Sequence, residues 1–336
     1  MEGKFSELKF FRKAGVLVIK PAVTLIIPTL NGAGELPVLL EQISLQTVKA
    51  IEVIIIDSQS TDKTTQVAES YGAQIITIGR DEFDHGATRN LAVTKAKGDI
   101  VIFMTQDAVP ANEETIGNLI KPLEQPDIIV SYARQLPKAG TKVTDKFLRL
   151  YNYPAQSKIK SKEDIPALGI GTFQNSNVCA AYRRAEFEKL GGFPQPTVSN
   201  EDMLFAAKAI LAGYKVAYTA EAMVLHSHNY NCRQLFKRYF DIGASLDNAP
   251  FIKQVGKAES KGLDFICNQL KFVHAESGLV SVPAVFFEAL CKYAGYKLGV
   301  NHCLLPKVFK KYLGLQKGYW TRVANNTCNA KSWGKT

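Results

Sequence analysis

Three apolar segments of this chain end in polar turns, and they constrain the fold more than any other feature of the sequence. Residues 23–31 read VTLIIPTLN, residues 51–64 read IEVIIIDSQSTDKT, and residues 98–108 read GDIVIFMTQDA. The apolar run of the second segment ends on Asp57, and the third segment carries Asp107 just after its apolar run. Open α/β sheets bind ligands at the carboxyl ends of such buried strands. We therefore expect neighbouring strands whose polar turns face one shared crevice.

Strand and helix patterns alternate over the first two thirds of the chain. Helical apolar spacing covers residues 35–45, and a second helix is expected at 61–71. This alternation predicts an α/β fold with a mostly parallel, twisted sheet flanked by helices. After Tyr230 the pattern becomes helical, with an amphipathic stripe between residues 282 and 293. We divide the chain into an N-terminal extension (1–21), an α/β domain (22–230) and a basic, mainly helical C-terminal region (231–336).

Some segments have less sharply defined boundaries. A helix is expected over residues 88–96, because Gly98 would stop it. Residues 138–165 are charged and weakly periodic, which indicates helices and a mobile loop. Two short strands are expected at 215–218 and 222–225.

The net charge of +10 is concentrated in the last third of the chain. Residues 1–230 carry 25 basic and 25 acidic side chains, whereas residues 231–336 carry 16 basic and 6 acidic ones. Basic residues there alternate with aromatic residues, as in KVFKKYLGLQKGYW at 307–320. We expect this region to contact an anionic membrane surface and not nucleic acid. The alternative is a solvated helix face whose aromatic side chains pack in the core.

Composition and segment lengths indicate where the protein works. The six cysteines show neither a CxxC motif nor a paired spacing, which favours a reducing compartment over a zinc site or a disulfide framework. No apolar stretch reaches the roughly 18 uncharged residues of a spanning helix. The short apolar patch at residues 15–19 lacks a cleavage-like site, so no signal peptide is expected. We therefore expect a cytoplasmic protein that associates peripherally with the inner face of the cell membrane.

Six segments occur in the order seen in family 2 glycosyltransferases: IIPTLN, DSQSTDKT, RNLAVTKAKGDIVIFMTQDA, RRAEFEKLGGF, NEDM and VLHSHNY. The chain resembles these nucleotide-sugar enzymes over roughly residues 22–245. FDHGATRN (83–90) and TQDA (105–108) are similar to the bacterial rhamnosyltransferase branch. The resemblance implies a GT-A catalytic domain at 22–230. It also implies inverting transfer of L-rhamnose from dTDP-L-rhamnose to a lipid-linked or growing cell-surface polysaccharide acceptor.

Alternative functions stay open at this point. The family usually carries D-x-D where this chain has TQD at 105–107, so the first carboxylate is missing. A weakly active GT-A domain that serves as an assembly or binding subunit is one alternative, and a glycosyltransferase that uses another nucleotide sugar is a second. A nucleotidyltransferase ranks last, because PTLN at 28–31 lacks the Gly/Arg/Lys-rich phosphate loop that such an enzyme needs.

The resemblance implies a set of donor-binding side chains. Asp57 is similar to the family's base-binding aspartate, although a turn-forming role is the simpler interpretation. Thr29 and Asn31 resemble the turn that lines the nucleotide. Arg89 could neutralise the diphosphate or pair only with an acid such as Asp84. The donor-binding candidates are Thr29, Asn31, Asp57, His85, Arg89, Gln106 and Asp107.

Asp107 is also the main candidate for a metal ligand. The resemblance implies that His226 or His228 adds a ligand from the far side, and His226 is favoured because it directly follows a predicted strand. Mg²⁺ needs only one or two carboxylates when phosphate oxygens and water complete its shell. Mn²⁺ tolerates imidazole better than Mg²⁺ does. We expect Mg²⁺ or Mn²⁺ as the cofactor.

Glu201 and Asp202 begin a predicted helix and are the catalytic candidates. In the family, the aspartate of this pair is the general base that deprotonates the acceptor hydroxyl. Adjacent acids on a helix point about 100° apart, so only one of them can face the anomeric carbon. We assign the base to Asp202 and expect Glu201 to order donor or acceptor groups. The alternative is a helix start whose acids are favoured only by the helix dipole.

Overall fold

The computed structural model describes residues 11–13, 16–18, 21–247, 252 and 258–323. Most of the predicted N-terminal extension lies outside these residues, as do the last residues of the C-terminal region. Within the described part of the chain, no helix is both long enough and apolar enough to cross a membrane.

The strands form a short hairpin and a nine-stranded sheet. The hairpin pairs β1 (Phe11–Lys13) with β2 (Val16–Val18). The sheet contains β3 (Val23–Thr29), β4 (Glu52–Asp57), β5 (Gln74–Thr77), β6 (Ile100–Met104), β7 (Val109–Pro110), β8 (Ile128–Leu136), β9 (Lys158–Lys160), β10 (Cys179–Arg183) and β11 (Lys215–Leu225). Its order is β5-β4-β3-β6-β10-β8-β11-β7, with β9 paired to β11.

Helices connect the strands and then form the C-terminal region. They are α1 (Leu36–Ser44), α2 (Thr64–Ser70), α3 (His85–Val93), α4 (Thr115–Ile120), α5 (Val143–Asn152), α6 (Ile165–Leu168), α7 (Arg184–Lys189), α8 (Glu201–Leu211), α9 (Cys232–Asp247), α10 (Ala258–Ser277), α11 (Val282–Val300), α12 (Lys307–Leu313) and α13 (Lys317–Val323). Short 3₁₀ turns lie at Lys121–Glu124, Lys162–Asp164, Gly169–Phe173, Leu279–Ser281 and His302–Leu304.

The predicted α/β fold is confirmed, and its sheet is parallel in one half and mixed in the other. Parallel pairs join β5, β4, β3 and β6. Strand β10 runs antiparallel between β6 and β8, whereas β11 runs parallel to β8. In the parallel half, Thr29 pairs in register with Asp57, so two of the polar turns lie side by side.

The central strands bury both of their faces, which explains why they read as continuous apolar runs. Ile26 and Phe103 face a core that is rich in aromatic side chains on one side of the sheet. Leu25 and Ile102 face the aliphatic core on the other side. Each such side chain contributes about 1.5–3 kcal/mol through removal from water. The site at the strand ends therefore rests on a rigid base.

Two predicted boundaries were wrong. Helix α3 begins at His85 and not at residue 88, because Asp84 caps it: the carboxylate accepts hydrogen bonds from the backbone N–H groups of Gly86 and Ala87. The two short strands expected at 215–218 and 222–225 are one strand, β11. Both halves pair with β8 across a register shift, which a bulge accommodates.

The C-terminal helices α9 and α11 pack closely through glycines. A Cβ atom at Gly243 would lie 2.4 Å from the carbonyl oxygen of Tyr296. A Cβ atom at Gly299 would lie 2.1 Å from the carbonyl oxygen of Phe240. Only glycine lets the two backbones approach this closely.

Asp241 on α9 ties the last described segment to this helix pair. Its carboxylate accepts hydrogen bonds from the backbone N–H groups of Leu315 and Gln316, at 2.9 and 3.0 Å, and from the indole N–H of Trp320, at 2.7 Å. Arg322 in turn donates a hydrogen bond to the backbone carbonyl of Phe83 in the α/β domain. These contacts hold the C-terminal region against the edge of the site.

Candidate active site

A cavity of about 240 Å³ lies at the strand ends, between the α/β domain and the C-terminal helices. Arg238, Asp241, Leu315 and Gln316 of the C-terminal region line one part of it. The cavity brings together seven of the predicted site residues: His85, Arg89, Asp107, Glu201, Asp202, His226 and His228.

The other four predicted residues, Thr29, Asn31, Asp57 and Gln106, do not line the cavity and form what we call the turn cluster. Asp57 is buried at the end of β4, where Oδ1 accepts a hydrogen bond from Thr29 Oγ1 at 3.1 Å. The backbone N–H of Ser60 donates to Oδ2 of Asp57 at 2.8 Å. Asn31 has a positive φ of 50° and reaches across to the same loop. The carboxylate thus organises the turn that the sequence assigned to the nucleotide.

Gln106 joins the end of β6 to the turn that follows β3. Its Oε1 accepts a hydrogen bond from the backbone N–H of Leu30 at 2.9 Å, and its Nε2 donates to the Leu30 carbonyl at 3.3 Å. A Cβ atom at Gly32 would lie 2.9 Å from the same Oε1, so glycine makes room for this bridge. Gln106 therefore connects two strand ends, and it stands at the middle position of the family's D-x-D.

Glu201 forms a buried ion pair with Arg89. The distance between Glu201 Oε1 and Arg89 NH1 is 3.3 Å, and Asn177 Nδ2 donates to the same oxygen at 3.0 Å. Burial raises the pKa of Glu201, but Arg89, His85 and the hydrogen bond from Asn177 together outweigh that effect, so the net pKa lies below its usual range. Arg89 therefore has Glu201 as its partner, while Asp84, the alternative from the sequence, caps α3 and accepts the backbone N–H of Thr197.

Asp202 is half-buried beside this ion pair. The backbone N–H of Asn177 donates to its Oδ2 at 2.9 Å, and the backbone N–H of Met203 donates to its Oδ1 at 2.7 Å. Burial and the negative charge of Glu201 raise the pKa of Asp202 to about 7. A fixed carboxylate with this pKa gains and loses a proton near neutral pH, as a general base must.

Asn177 holds both acids and was missed by the sequence reasoning. Tyr182 donates its hydroxyl to Asn177 Oδ1 at 2.7 Å, which leaves the amide nitrogen for Glu201 and the backbone N–H for Asp202. The available signal was the polar triplet NSN at 175–177, directly before the apolar strand β10. Polar residues at a strand terminus also mark the other turns of the site.

Asp107, His226 and His228 form a cluster of potential metal ligands. Asp107 Oδ2 lies 3.3 Å from His226 Nε2 and 3.7 Å from His228 Nδ1. The three ligand atoms lie within 4.8 Å of one another. The structure thus brings both histidines to the carboxylate, including the less favoured His228.

The protonation states of the cluster suit a cation. Burial lowers the pKa of His226, and burial together with the neighbouring ring lowers the pKa of His228 to about 3. Burial alone would raise the pKa of Asp107, but its contacts with the two histidines hold it well below the usual range. Neutral imidazoles and an ionised carboxylate are the forms that ligate a divalent metal. The donor set therefore fits such an ion.

Helix α5 and the end of β8 support the two histidines. Gln135 Oε1 lies 2.9 Å from His226 Nδ1 and accepts a hydrogen bond from Arg149 NH1 at 2.6 Å. Asp145 Oδ2 accepts the backbone N–H of His228 at 3.1 Å. The sequence did not point to these residues, because Gln135 lies in an apolar strand and Asp145 and Arg149 lie in the charged, weakly periodic segment 138–165.

Arg238 brings a cation from the C-terminal region to the cavity. Its guanidinium lies 5.6 Å from the centre of the Tyr230 ring, and that ring stacks on His228 at 4.7 Å. Among the described residues, no carboxylate lies within ion-pair distance of Arg238. It thus differs from Arg89, whose charge Glu201 balances.

Comparison with known proteins identifies the family of this chain. The profile of the family described as Glycosyl transferase family 2 matches residues 24–191. The O-antigen chain rhamnosyltransferase RfbN of Salmonella typhimurium (strain LT2) is 41% identical over 304 residues, covering 90% of this chain and 96% of that protein. The O-antigen chain rhamnosyltransferase WbaN of Salmonella anatum is 40% identical over 306 residues, covering 90% and 97%.

Solved structures share the fold. The mannosyltransferase PcManGT from Pyrobaculum calidifontis, in complex with GDP-Man and Mn²⁺, has a TM-score of 0.52 at 18% identity and covers 91% of this chain and 87% of its own. TarS 1–349 of S. aureus, in complex with UDP, has a TM-score of 0.50 at 18% identity and covers 83% and 90%. The α/β domain thus has the GT-A fold of glycosyltransferases. The chain belongs to glycosyl transferase family 2, as its sequence motifs predicted.

Proposed function

We propose that this enzyme is an inverting rhamnosyltransferase. It moves L-rhamnose from dTDP-L-rhamnose to a lipid-linked or growing cell-surface polysaccharide acceptor. The observation that carries the chemistry is the presence of Asp202 and the cluster of Asp107, His226 and His228 in one cavity. The choice of sugar and acceptor rests on the two Salmonella relatives, whose names describe O-antigen chain rhamnosyltransferases.

Asp202 serves as the general base in this proposal. Its carboxylate removes the proton of the acceptor hydroxyl while that oxygen attacks the anomeric carbon and the nucleoside diphosphate leaves. The backbone N–H groups of Asn177 and Met203 hold the carboxylate in place. Glu201 stays ionised beside Arg89, and its negative charge helps to raise the pKa of Asp202. Glu201 therefore acts through Asp202 and not on the substrate.

Asp107, His226 and His228 hold Mg²⁺ or Mn²⁺ in this proposal. When bound, the ion supplies positive charge that stabilises the leaving diphosphate. Two imidazoles among the ligands favour Mn²⁺. Arg238 adds a cation from the C-terminal region, and His85 and Arg89 complete the donor side of the cavity. In the turn cluster, Asp57 accepts the imide N–H of the base, and Thr29, Asn31 and Gln106 shape the turn around it.

The alternatives from the sequence have less support. A binding or assembly subunit would not need an acid with a pKa of about 7 beside a cluster of metal-type ligands. The missing first carboxylate of D-x-D is offset here by a second histidine at the cluster. The use of another nucleotide sugar is tested by a competition between donors.

A donor competition tests the proposed specificity. The purified enzyme, Mn²⁺ and a lipid-linked saccharide acceptor are mixed with equal amounts of dTDP-L-rhamnose, UDP-glucose and UDP-N-acetylglucosamine, and the added sugar is identified by mass spectrometry. We expect rhamnose addition to dominate. A product that carries mainly glucose or N-acetylglucosamine would contradict the proposed donor.

The enzyme reaches its acceptor by docking on an anionic membrane surface. Large apolar side chains of α11 and α12 are exposed, which argues against the alternative in which they pack in the core. Lysines of α12 alternate along the chain with exposed apolar residues of the same helix, and each lysine contributes about 1 kcal/mol near an anionic surface. We call this surface the docking patch. Its apolar members are Phe286, Phe287, Leu290, Tyr293, Leu304, Val308, Phe309 and Tyr312, and its basic members are Lys307, Lys310 and Lys311.

Vesicle co-sedimentation tests the docking patch. Wild type should bind vesicles that contain anionic lipid, and added salt should weaken binding because it screens the attraction. Changing Lys307, Lys310 and Lys311 to Glu should abolish binding. The matched control changes three exposed residues of the α/β domain, Lys121, Lys189 and Lys208, to Glu and should still bind. Equal recovery of both triple variants would rule out this patch as the anchor.

A further inference from the structure

We infer that Gln135 and Arg149 are positioning residues that select the tautomer of His226 and aim its Nε2 lone pair at the metal site. This inference rests on the metal site of the proposed function. It concerns residues of β8 and α5 that contact neither the donor sugar nor the ion in that proposal.

The orientation of the Gln135 amide follows from its neighbours. Arg149 NH1 lies 2.6 Å from Gln135 Oε1, and a guanidinium group has donors only. The amide oxygen must therefore face Arg149. On the other side, Gln135 Nε2 donates to the hydroxyl groups of Tyr153 and Ser176, at 2.7 and 2.9 Å. Gln135 is buried, so water does not compete for these positions.

The orientation of the amide decides where the His226 ring carries its proton. Gln135 Oε1 also lies 2.9 Å from His226 Nδ1, and an amide oxygen can only accept. Nδ1 must therefore carry the hydrogen, and in a neutral ring Nε2 keeps the lone pair. That lone pair faces Asp107 Oδ2 at 3.3 Å. A divalent cation bound at the cluster would take up this lone pair.

Helix α5 holds the arginine that fixes the amide. Arg149 is buried, and its NH2 group lies 3.4 Å from Oδ1 of Asp145, one helical turn earlier. The second oxygen of Asp145 accepts the backbone N–H of His228 at 3.1 Å. One face of α5 thus supports both histidines, His226 through Gln135 and His228 directly.

Two substitutions separate positioning from a merely structural role. Gln135→Leu removes the acceptor for His226 Nδ1. Gln135→Glu keeps an acceptor oxygen but removes the amide donors to Tyr153 and Ser176. We expect Mn²⁺ affinity, measured from the electron paramagnetic resonance signal of free Mn²⁺, to fall about 10–100-fold in the Leu variant. The Glu variant should stay within a few-fold of wild type. If the role were structural, the Glu variant would lose at least as much affinity as the Leu variant, and that result would overturn the inference.

Nitrogen-15 NMR of the histidine side chains, recorded without metal, reads the tautomer directly. The chain has five histidines, so their signals can be assigned by substitution. We expect the Nδ1–H tautomer for His226 in wild type and in Gln135→Glu, and a mixture in Gln135→Leu. An Nε2–H tautomer in wild type would overturn the inference. The wild-type spectrum requires no variant, so it decides the matter even where a substitution prevents folding. A wild type that binds no Mn²⁺ would instead refute the metal site of the proposed function, and the tautomer would still test the positioning role.

Discussion

The turn cluster and the cavity carry the two groups of predicted site residues, and they are built differently. In the turn cluster, Asp57 is surrounded by neutral donors, the hydroxyl of Thr29 and the backbone of Ser60. In the cavity, Asp202 has a buried ion pair, Glu201 with Arg89, as its neighbour. The first arrangement fixes a shape, whereas the second changes the pKa of an acid.

We propose that this difference separates donor binding from the chemical step. In our proposal, the Asp57 carboxylate, held by neutral donors, forms part of a fixed surface for the nucleotide. A half-buried carboxylate next to a fixed negative charge holds its proton until about neutral pH. Substitutions in the turn cluster should therefore affect mainly KM, and substitutions in the cavity should affect mainly kcat.

The largest effect is expected for Asp202→Asn. Asparagine keeps the shape but cannot accept the proton, so kcat should fall by roughly 10²–10⁴-fold. Both carboxylate oxygens accept backbone N–H groups, so the amide NH₂ must face one of them, at a cost of about 1–3 kcal/mol in stability. Turnover should be measured together with thermal unfolding and donor affinity. Near-normal turnover in a folded variant would show that Asp202 is not the general base.

A smaller loss of turnover is expected for Asp107→Ala. Loss of one of three ligands should weaken Mn²⁺ binding and lower kcat by about 100-fold, since the ion is expected to stabilise the transition state by several kcal/mol. Excess chelator should have the same effect on wild type, and added Mn²⁺ should restore it. Unchanged wild-type turnover in excess chelator would mean that the cluster acts without metal, and Arg238 would then have to balance the diphosphate.

The smallest effect is expected for Asp57→Asn, in the turn cluster. The variant loses a charged acceptor, and a hydrogen bond to a charged group contributes about 1.5–3 kcal/mol. We expect KM for the donor to rise by about 10-fold or more while kcat changes little. Steady-state kinetics with varied donor concentration provide the measurement. A large fall in kcat with normal KM would break the separation between the two regions.

Most of the fold could be predicted from the sequence, because its signals are local. The apolar runs at β3, β4 and β6 mark strands that are buried on both faces, and the polar residues after them mark the turns. The predicted start of α3 was wrong because Asp84 caps the helix and does not pair with Arg89. Asp is a common helix cap. Strand β11 was read as two strands because its middle residues, which lie in a bulge, interrupt the apolar pattern.

The site was only partly predictable, since its support comes from residues far apart in the chain. Asp202, Asp107 and His226 stand next to strand or helix ends, where the family resemblance could identify them. Gln135 lies in an apolar strand, and its partner Arg149 lies in a weakly periodic helix, so neither shows a local signal. Arg238 reaches the cavity only because α9 packs against the α/β domain, and no sequence spacing reports that contact.

The pH dependence of the single-turnover rate tests the central claim, that Asp202 is the base and that burial and the charge of Glu201 raise its pKa. The raised pKa means that Asp202 is protonated below about pH 7 and ionised above it. The wild-type rate should therefore fall roughly tenfold per pH unit below that point and level off above it. In Glu201→Gln the neighbouring negative charge is gone, so the pKa of Asp202 should fall and the inflection should move to lower pH. A wild-type rate that is flat from about pH 5.5 to 8, or an inflection that moves upward in Glu201→Gln, would contradict the account.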